Sequence, residues 1–166
     1  MILVCFWAGV LAFYDFRWRT LPNWLTIGGA ILFLGVRFVT GGVGSLTSGV
    51  AAGSVAGAFL LVPFLLRGAG GGDVKMLFAA GAMAGWSRLL LLLWYMSLAG
   101  LVLVIVMLAF KRVNGVRLKH YARCLVDWRY DRKTGAIALP PKDSARMRVP
   151  FSIAISVGLV LAMLKP

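Results

Sequence analysis

Long apolar runs separated by short polar stretches constrain this chain more than any other feature of its sequence. Of its 166 residues, 61% are hydrophobic, and the mean hydropathy is +0.90. A soluble domain is nearer half apolar and, at this size, has too little interior to bury so much apolar surface. A helix of about 20 apolar residues crosses a hydrocarbon core. The runs therefore predict an all-α fold, a polytopic bundle of about six transmembrane helices in a single membrane domain over 1–166.

The basic residues predict how these spans are oriented. Three alternate connections, 15–22, 67–75 and 111–148, hold 15 of the 18 Lys and Arg residues. Because cytoplasmic loops are enriched in basic residues, these connections are predicted in the cytoplasm, with both termini outside. The same bias accounts for the net charge of +13, so we predict membrane lipid and no nucleic acid as a partner. The predicted spans cover approximately residues 1–16, 23–40, 46–66, 73–87, 89–110 and 149–165.

The last of these connections, 111–148, is predicted to form one large basic cytoplasmic loop. It carries 11 basic and 3 acidic residues, with aromatic side chains among them. Such a composition is typical of a segment that lies on anionic lipid headgroups. A basic precursor would be repelled by this loop, so simple electrostatic capture of such a substrate is disfavoured.

Small residues recur at helical spacing in the middle of the chain. In lipid, apolar surface gives helices no driving force to associate, and small residues let their backbones pack closely. We therefore predict that these positions bring helices together and serve function only through that packing. The third and fourth predicted spans contain Ser45, Gly49, Gly53, Gly57, Gly81 and Gly85.

Asp15 and Asp73 are the only carboxylates in or beside the predicted spans. The first lies where span one ends and the second where span four begins, so the topology puts both at the cytoplasmic edge of the membrane. A carboxylate at membrane depth is costly and marks a functional site by default. When two carboxylates meet, one can take a proton from water while its protonated partner donates to the leaving group. The pair therefore predicts acid–base hydrolysis of an amide bond.

Each aspartate also has a structural interpretation. Asp73 follows three glycines and precedes a predicted helix, a position typical of an N-cap. Asp15 lies four residues before Arg19, a spacing that allows an ion pair. The competing functional class is a small transporter or membrane assembly subunit, with the two aspartates as proton or cation sites. Their coincidence at one membrane depth favours catalysis.

The remaining chemistry-bearing residues predict no metal and no cofactor. Cys5 and Cys124 form no C-x-x-C motif, and the single histidine, His120, does not make a metal site alone. A lipid transferase is disfavoured because the sequence offers it neither a metal cluster nor an evident nucleophile. The glycines before Asp73 permit backbone conformations that are closed to other residues, and they are expected to leave space for an extended substrate. Lys75, early in the same helix, is expected to reach the membrane interface.

Three segments carry a family resemblance, and they follow one another at the expected spacing. Asp15 is followed by Arg19 and then Leu21-Pro22-Asn23, the pattern Gly70-x-Gly72-Asp73-x-Lys75 comes next, and Val149-Pro150-Phe151 opens the last span. Together they resemble the type IV prepilin peptidases, the bacterial branch of the GxGD aspartyl proteases. The resemblance implies that Asp15 and Asp73 are the catalytic residues. It also implies a set of residues that bind substrate or shape the site, namely Gly70, Gly72, Lys75, Arg19, Pro22 and Asn23.

The resemblance also implies a substrate and a location. The family removes the short basic leader from prepilins, or from pseudopilins of type II secretion, after a glycine at the cytoplasmic membrane face. This implies a multi-pass enzyme of the prokaryotic inner membrane whose partner is a prepilin or pseudopilin precursor. Larger members add a zinc-binding methyltransferase domain with cysteine pairs, which this sequence lacks. It therefore resembles the short peptidases of tight-adherence (Flp-type) pili, with archaeal preflagellin peptidases as the alternative.

Overall fold

All regular structure in the described part of the chain is helical, which confirms the all-α part of the predicted fold class. The computed structural model describes residues 2–18, 20–65, 69–109 and 151–164. The predicted loop 111–148 and Arg19 lie outside the described residues. The helices are α1 (Ile2–Trp18), α2 (Asn23–Leu65), α3 (Gly71–Ala84), α4 (Trp86–Ala109) and α5 (Phe151–Leu164).

The helices present the kind of surface that a bilayer requires. By length and composition, α2 and the Trp86–Met107 part of α4 are able to cross a membrane, and α5 is a shorter apolar helix. Large apolar side chains on α2 and α4 point outward, with Val39 84% and Leu90 80% exposed. Apolar surface of this extent marks contact with lipid or protein rather than with water. The six-span count and the outside placement of both termini stay predictions.

Within α2, the chain folds back on itself at Gly42. This residue has φ 64° and ψ −160°, a conformation that residues with a Cβ rarely adopt. The two halves then run side by side, since Arg37 Nε donates to Ser45 O at 2.9 Å and Thr26 and Leu61 line one cavity. The predicted connection over 41–45 is therefore too long, because one glycine makes the turn and the helix resumes directly after it.

The second half of α2 packs closely on α3 through small residues. A Cβ at Gly81 would lie 2.6 Å from Ala56 Cβ and 2.8 Å from Ala52 O. A Cβ at Gly53 would lie 2.9 Å from Phe78 O. The predicted packing role of these two glycines is confirmed. Gly85 has a different role, because it ends α3 with φ 70°.

α1 and α5 belong to one compact unit, which is made of Met1–Val102 and Pro150–Pro166. The indole Nε1 of Trp7 in α1 donates to Leu25 O of α2 at 2.9 Å. In α5, Ser156 Oγ donates to Ala8 O of α1 at 3.0 Å. A Cβ at Gly158 of α5 would lie 2.7 Å from the Met96 backbone nitrogen of α4. Residues 103–109 of α4 belong to a second unit.

Candidate active site

Asp15 lies in the last turn of α1 and is buried, with 8% of its surface exposed. Its Oδ2 accepts a hydrogen bond from the hydroxyl of Ser152, which lies in the first turn of α5 and is itself fully buried. A buried carboxylate is costly unless it is hydrogen-bonded, and Ser152 supplies such a bond. The start of α5 therefore holds the Asp15 carboxylate in one position.

Asp73 is the third residue of α3 and is equally buried, at 8% exposed. Its Oδ2 accepts the backbone N–H of Gly70 at 3.0 Å. Gly70 occupies the N-cap position, so the predicted N-cap role of Asp73 is wrong. Asp73 instead makes the reciprocal half of a capping box, in which the third helical residue reaches back to the N-cap N–H. Its carboxylate also lies at the positive end of the helix dipole.

The motif glycines provide space rather than unusual backbone conformations. Gly70 has φ −87° and ψ 152°, an extended conformation open to any residue. A Cβ at Gly72 would lie 2.9 Å from Leu21 Cβ, and one at Gly70 would lie 3.2 Å from Asp73 Oδ2. The expected conformational role is therefore not observed at Gly70. Gly72 is instead required for the close approach of Leu21, and a side chain at Gly70 would crowd the Asp73 carboxylate.

The segments that carry the two aspartates meet at their turns. Leu21, just beyond α1, contacts Gly72 beside Asp73. Lys75 Nζ donates to Asn23 Oδ1 at 2.8 Å, which joins α3 to the start of α2. Pro22 O accepts the backbone N–H of Leu25 and of Thr26 at 3.1 and 3.2 Å and so begins α2. The structure thus brings together Pro22, Asn23, Gly70, Gly72, Asp73 and Lys75.

The sequence that forms this region matches a known protein family. Residues 2–105 match the type IV leader peptidase family, a range that contains both aspartates and covers more than half of the chain. The chain belongs to the type IV leader peptidase family. It is therefore a peptidase, and its family and its apolar helices together indicate association with a membrane. Searches of curated proteins and of solved structures returned no significant match.

In this peptidase, Ser152 is a site residue that the sequence reasoning missed. It lies beyond the part of the chain that matches the family. One sequence signal was available, since Ser152 is a polar residue in the first turn of an apolar span predicted to begin at the cytoplasmic edge. That signal alone does not identify Asp15 as the partner, because the two residues are 137 positions apart.

Ser152→Ala is expected to lower the rate of peptide cleavage by about ten- to a hundredfold, because a hydrogen bond to a charged group contributes about 1.5–3 kcal/mol. Ser152→Thr keeps the hydroxyl and is expected to restore most of the rate. The measurement is the initial rate of leader cleavage by the purified full chain, together with its thermal unfolding midpoint.

Ser156→Ala is the matched control for this positioning role. It removes a buried hydroxyl from the same helix pair, one turn further along α5, where the acceptor is Ala8 O instead of an aspartate. If Ser152 only tethers α5 to α1, both alanine variants will lower the rate equally. A selective loss with Ser152→Ala, and its rescue by threonine, supports positioning of Asp15.

Proposed function

We propose that this peptidase is an aspartyl endopeptidase that removes the basic leader from prepilin-like or pseudopilin precursors at the cytoplasmic face of the inner membrane. The observation that supports it best is the meeting of two segments 58 residues apart, each with a buried aspartate. The two segments meet where Leu21 contacts Gly72 and where Lys75 donates a hydrogen bond to Asn23. A carrier would use similar carboxylates, but membership of a peptidase family favours hydrolysis.

The proposed chemistry needs only the two carboxylates and water. One ionised aspartate takes a proton from a water molecule as its oxygen attacks the peptide carbonyl. The protonated partner then donates its proton to the nitrogen of the leaving peptide, and the C–N bond breaks. The proton taken from water replaces the proton given to the amine, so the pair returns to its starting state. The hydroxyl of Ser152 and the N–H of Gly70 hold the two carboxylates during these steps.

An apolar cavity of about 470 Å³ lies beside the first turns of α3. It is bounded by both halves of α2 and by α3, and Val74 and Lys75, the two residues after Asp73, line it. We propose that the apolar segment after the scissile bond lies in this cavity. The participation of the two residues that follow Asp73 and an almost wholly apolar lining support that occupant. The α2 side of the lining consists largely of small or short side chains, among them Ala30, Ser54, Gly57 and Ala58.

Ala58→Trp is expected to raise the KM for the precursor about tenfold and to change kcat by less than about twofold, since it removes ground-state binding. Ala58 is exposed into the cavity, so the larger side chain has room without displacing a helix. Val55→Trp, at an exposed position of the same helix that does not line the cavity, is the control. An unchanged KM with Ala58→Trp means that the cavity holds lipid instead of substrate.

The decisive experiment for the proposal is cleavage of a defined precursor. The purified full chain is incubated in detergent with a prepilin whose basic leader ends in glycine, and the products are identified by mass. We expect a single cut after that glycine. A precursor that remains intact with folded protein overturns this substrate assignment. Cleavage of a preflagellin but not of a prepilin selects the archaeal-type alternative.

A further inference from the structure

A second cavity lies at the end of α3 opposite to Asp73. Its volume is about 310 Å³, and Arg37, Arg88, Ser87 and Met83 are among the residues that line it. Met83 follows Asp73 by ten residues of α3, which is about 15 Å along a helix. In the predicted orientation this cavity faces the outer leaflet. It is therefore separate from the candidate active site.

The Arg37 guanidinium in this cavity is held in one position. Its Nε donates to Ser45 O at 2.9 Å and its Nη1 to Met83 O at 3.1 Å. It lies against Gly85, where a Cβ would come within 2.5 Å of Nη2. A guanidinium has five N–H donors, so donors on its terminal nitrogens remain for another acceptor.

The second guanidinium, that of Arg88, has only a weak acceptor among the described residues. It lies in the first turn of α4, and its Nη1 donates to Met163 Sδ at 3.5 Å. Among the residues that the structure describes, the carboxylates are Asp15 and Asp73, and neither lines this cavity. Partly buried charges are costly unless they are paired. Two guanidiniums in one cavity therefore favour the binding of an anion from outside these residues.

We propose that this cavity binds the phosphate of an anionic phospholipid headgroup. Planar guanidiniums match phosphate oxygens in two-point contacts, and the Ser87 hydroxyl lines the same cavity as a further donor. The N-terminal end of α4 adds favourable electrostatics. Lipid is favoured over free phosphate because the adjoining surface is apolar. Val36, which lines the cavity, is 37% exposed and offers an apolar edge to an acyl chain.

The test uses the full chain, stripped of lipid in a neutral detergent. Its thermal unfolding midpoint is measured with phosphatidylglycerol, phosphatidylcholine or inorganic phosphate at matched concentrations. We expect phosphatidylglycerol to raise the midpoint of the unsubstituted protein by several degrees, because a ligand that binds only the folded state stabilises it. Phosphatidylcholine and inorganic phosphate are expected to have little effect. Arg88→Gln is expected to weaken the apparent affinity for phosphatidylglycerol about tenfold.

Arg17→Gln is the matched control, since Arg17 is exposed in the last turn of α1, outside the cavity. It loses the same charge and should keep the full response to phosphatidylglycerol. Three results overturn the proposal: equal protection by phosphatidylcholine, equal protection by inorganic phosphate, or an unchanged response of Arg88→Gln. Arg88 is the residue substituted in this test because Arg37 also donates to two backbone carbonyls. Loss of the Arg37 side chain would therefore destabilise the fold.

Discussion

Asp15→Asn and Asp73→Asn are each expected to abolish leader cleavage while the helices stay folded. The amide has nearly the shape of the carboxylate but neither takes nor gives a proton, and positioned acid–base groups accelerate reactions about 10²–10⁴-fold. Asparagine also keeps an oxygen that accepts the Ser152 hydroxyl at position 15, or the Gly70 N–H at position 73. The measurements are the cleavage rate and the unfolding midpoint of each variant.

The structural interpretation of Asp73 makes a different prediction for the same variant. If Asp73 only caps α3, its replacement by asparagine costs at most about 1 kcal/mol of stability and leaves cleavage near its original rate. The double variant adds a second criterion. Residues that act as one catalytic unit are not additive, so the double variant should be no slower than either single one. Processing at the original rate by either single variant would contradict the assignment of a catalytic pair.

Gly81→Val is expected to cause the largest loss of stability among the packing residues. Even its Cβ would lie 2.6 Å from Ala56 Cβ and 2.8 Å from Ala52 O, and a backbone oxygen does not move aside easily. Overpacking of this kind costs about 1–3 kcal/mol or more, and here it separates α3 from α2. We expect a lower unfolding midpoint and loss of cleavage together, because α3 carries Asp73.

Gly35→Val separates this packing effect from the intrinsic effect of valine in a helix. Nothing lies within 4 Å of a Cβ at Gly35, and Gly35 is also a helical glycine in a predicted span. Its replacement is expected to leave both the midpoint and the cleavage rate nearly unchanged. An equal loss in the two variants would mean that close packing at Gly81 does not determine the stability of this helix pair.

The local features of this fold were predictable because they follow from hydropathy and spacing. Apolar runs gave helices close to the observed bounds, and the small-residue spacing correctly indicated contact at Gly53 and Gly81. The details of glycine-rich segments were less predictable. Several glycines lie near Gly42, and the sequence does not show which of them adopts a positive φ. Likewise, three consecutive glycines precede Asp73, and the choice of Gly70 as N-cap depends on how Asp73 reaches back to it.

The features that sequence reasoning missed depend on contacts between distant residues. Nothing in the sequence around Arg37 points to its partners, yet it joins Ser45 and Met83 across two helices. Ser152 gave no signal of its own that pointed to Asp15. Such partners are set by which helix faces pack together, and periodicity within one segment contains no information about that choice.

The bond between Asp15 and Ser152 has a consequence for how the enzyme is made. A ribosome completes α1 long before α5, since 137 residues separate the two partners. During that interval Asp15 lacks the hydroxyl that holds its carboxylate. The proposed active site is therefore complete only when α5 has been translated and has packed on α1. Nascent chains that have not reached that stage lack this part of the proposed site.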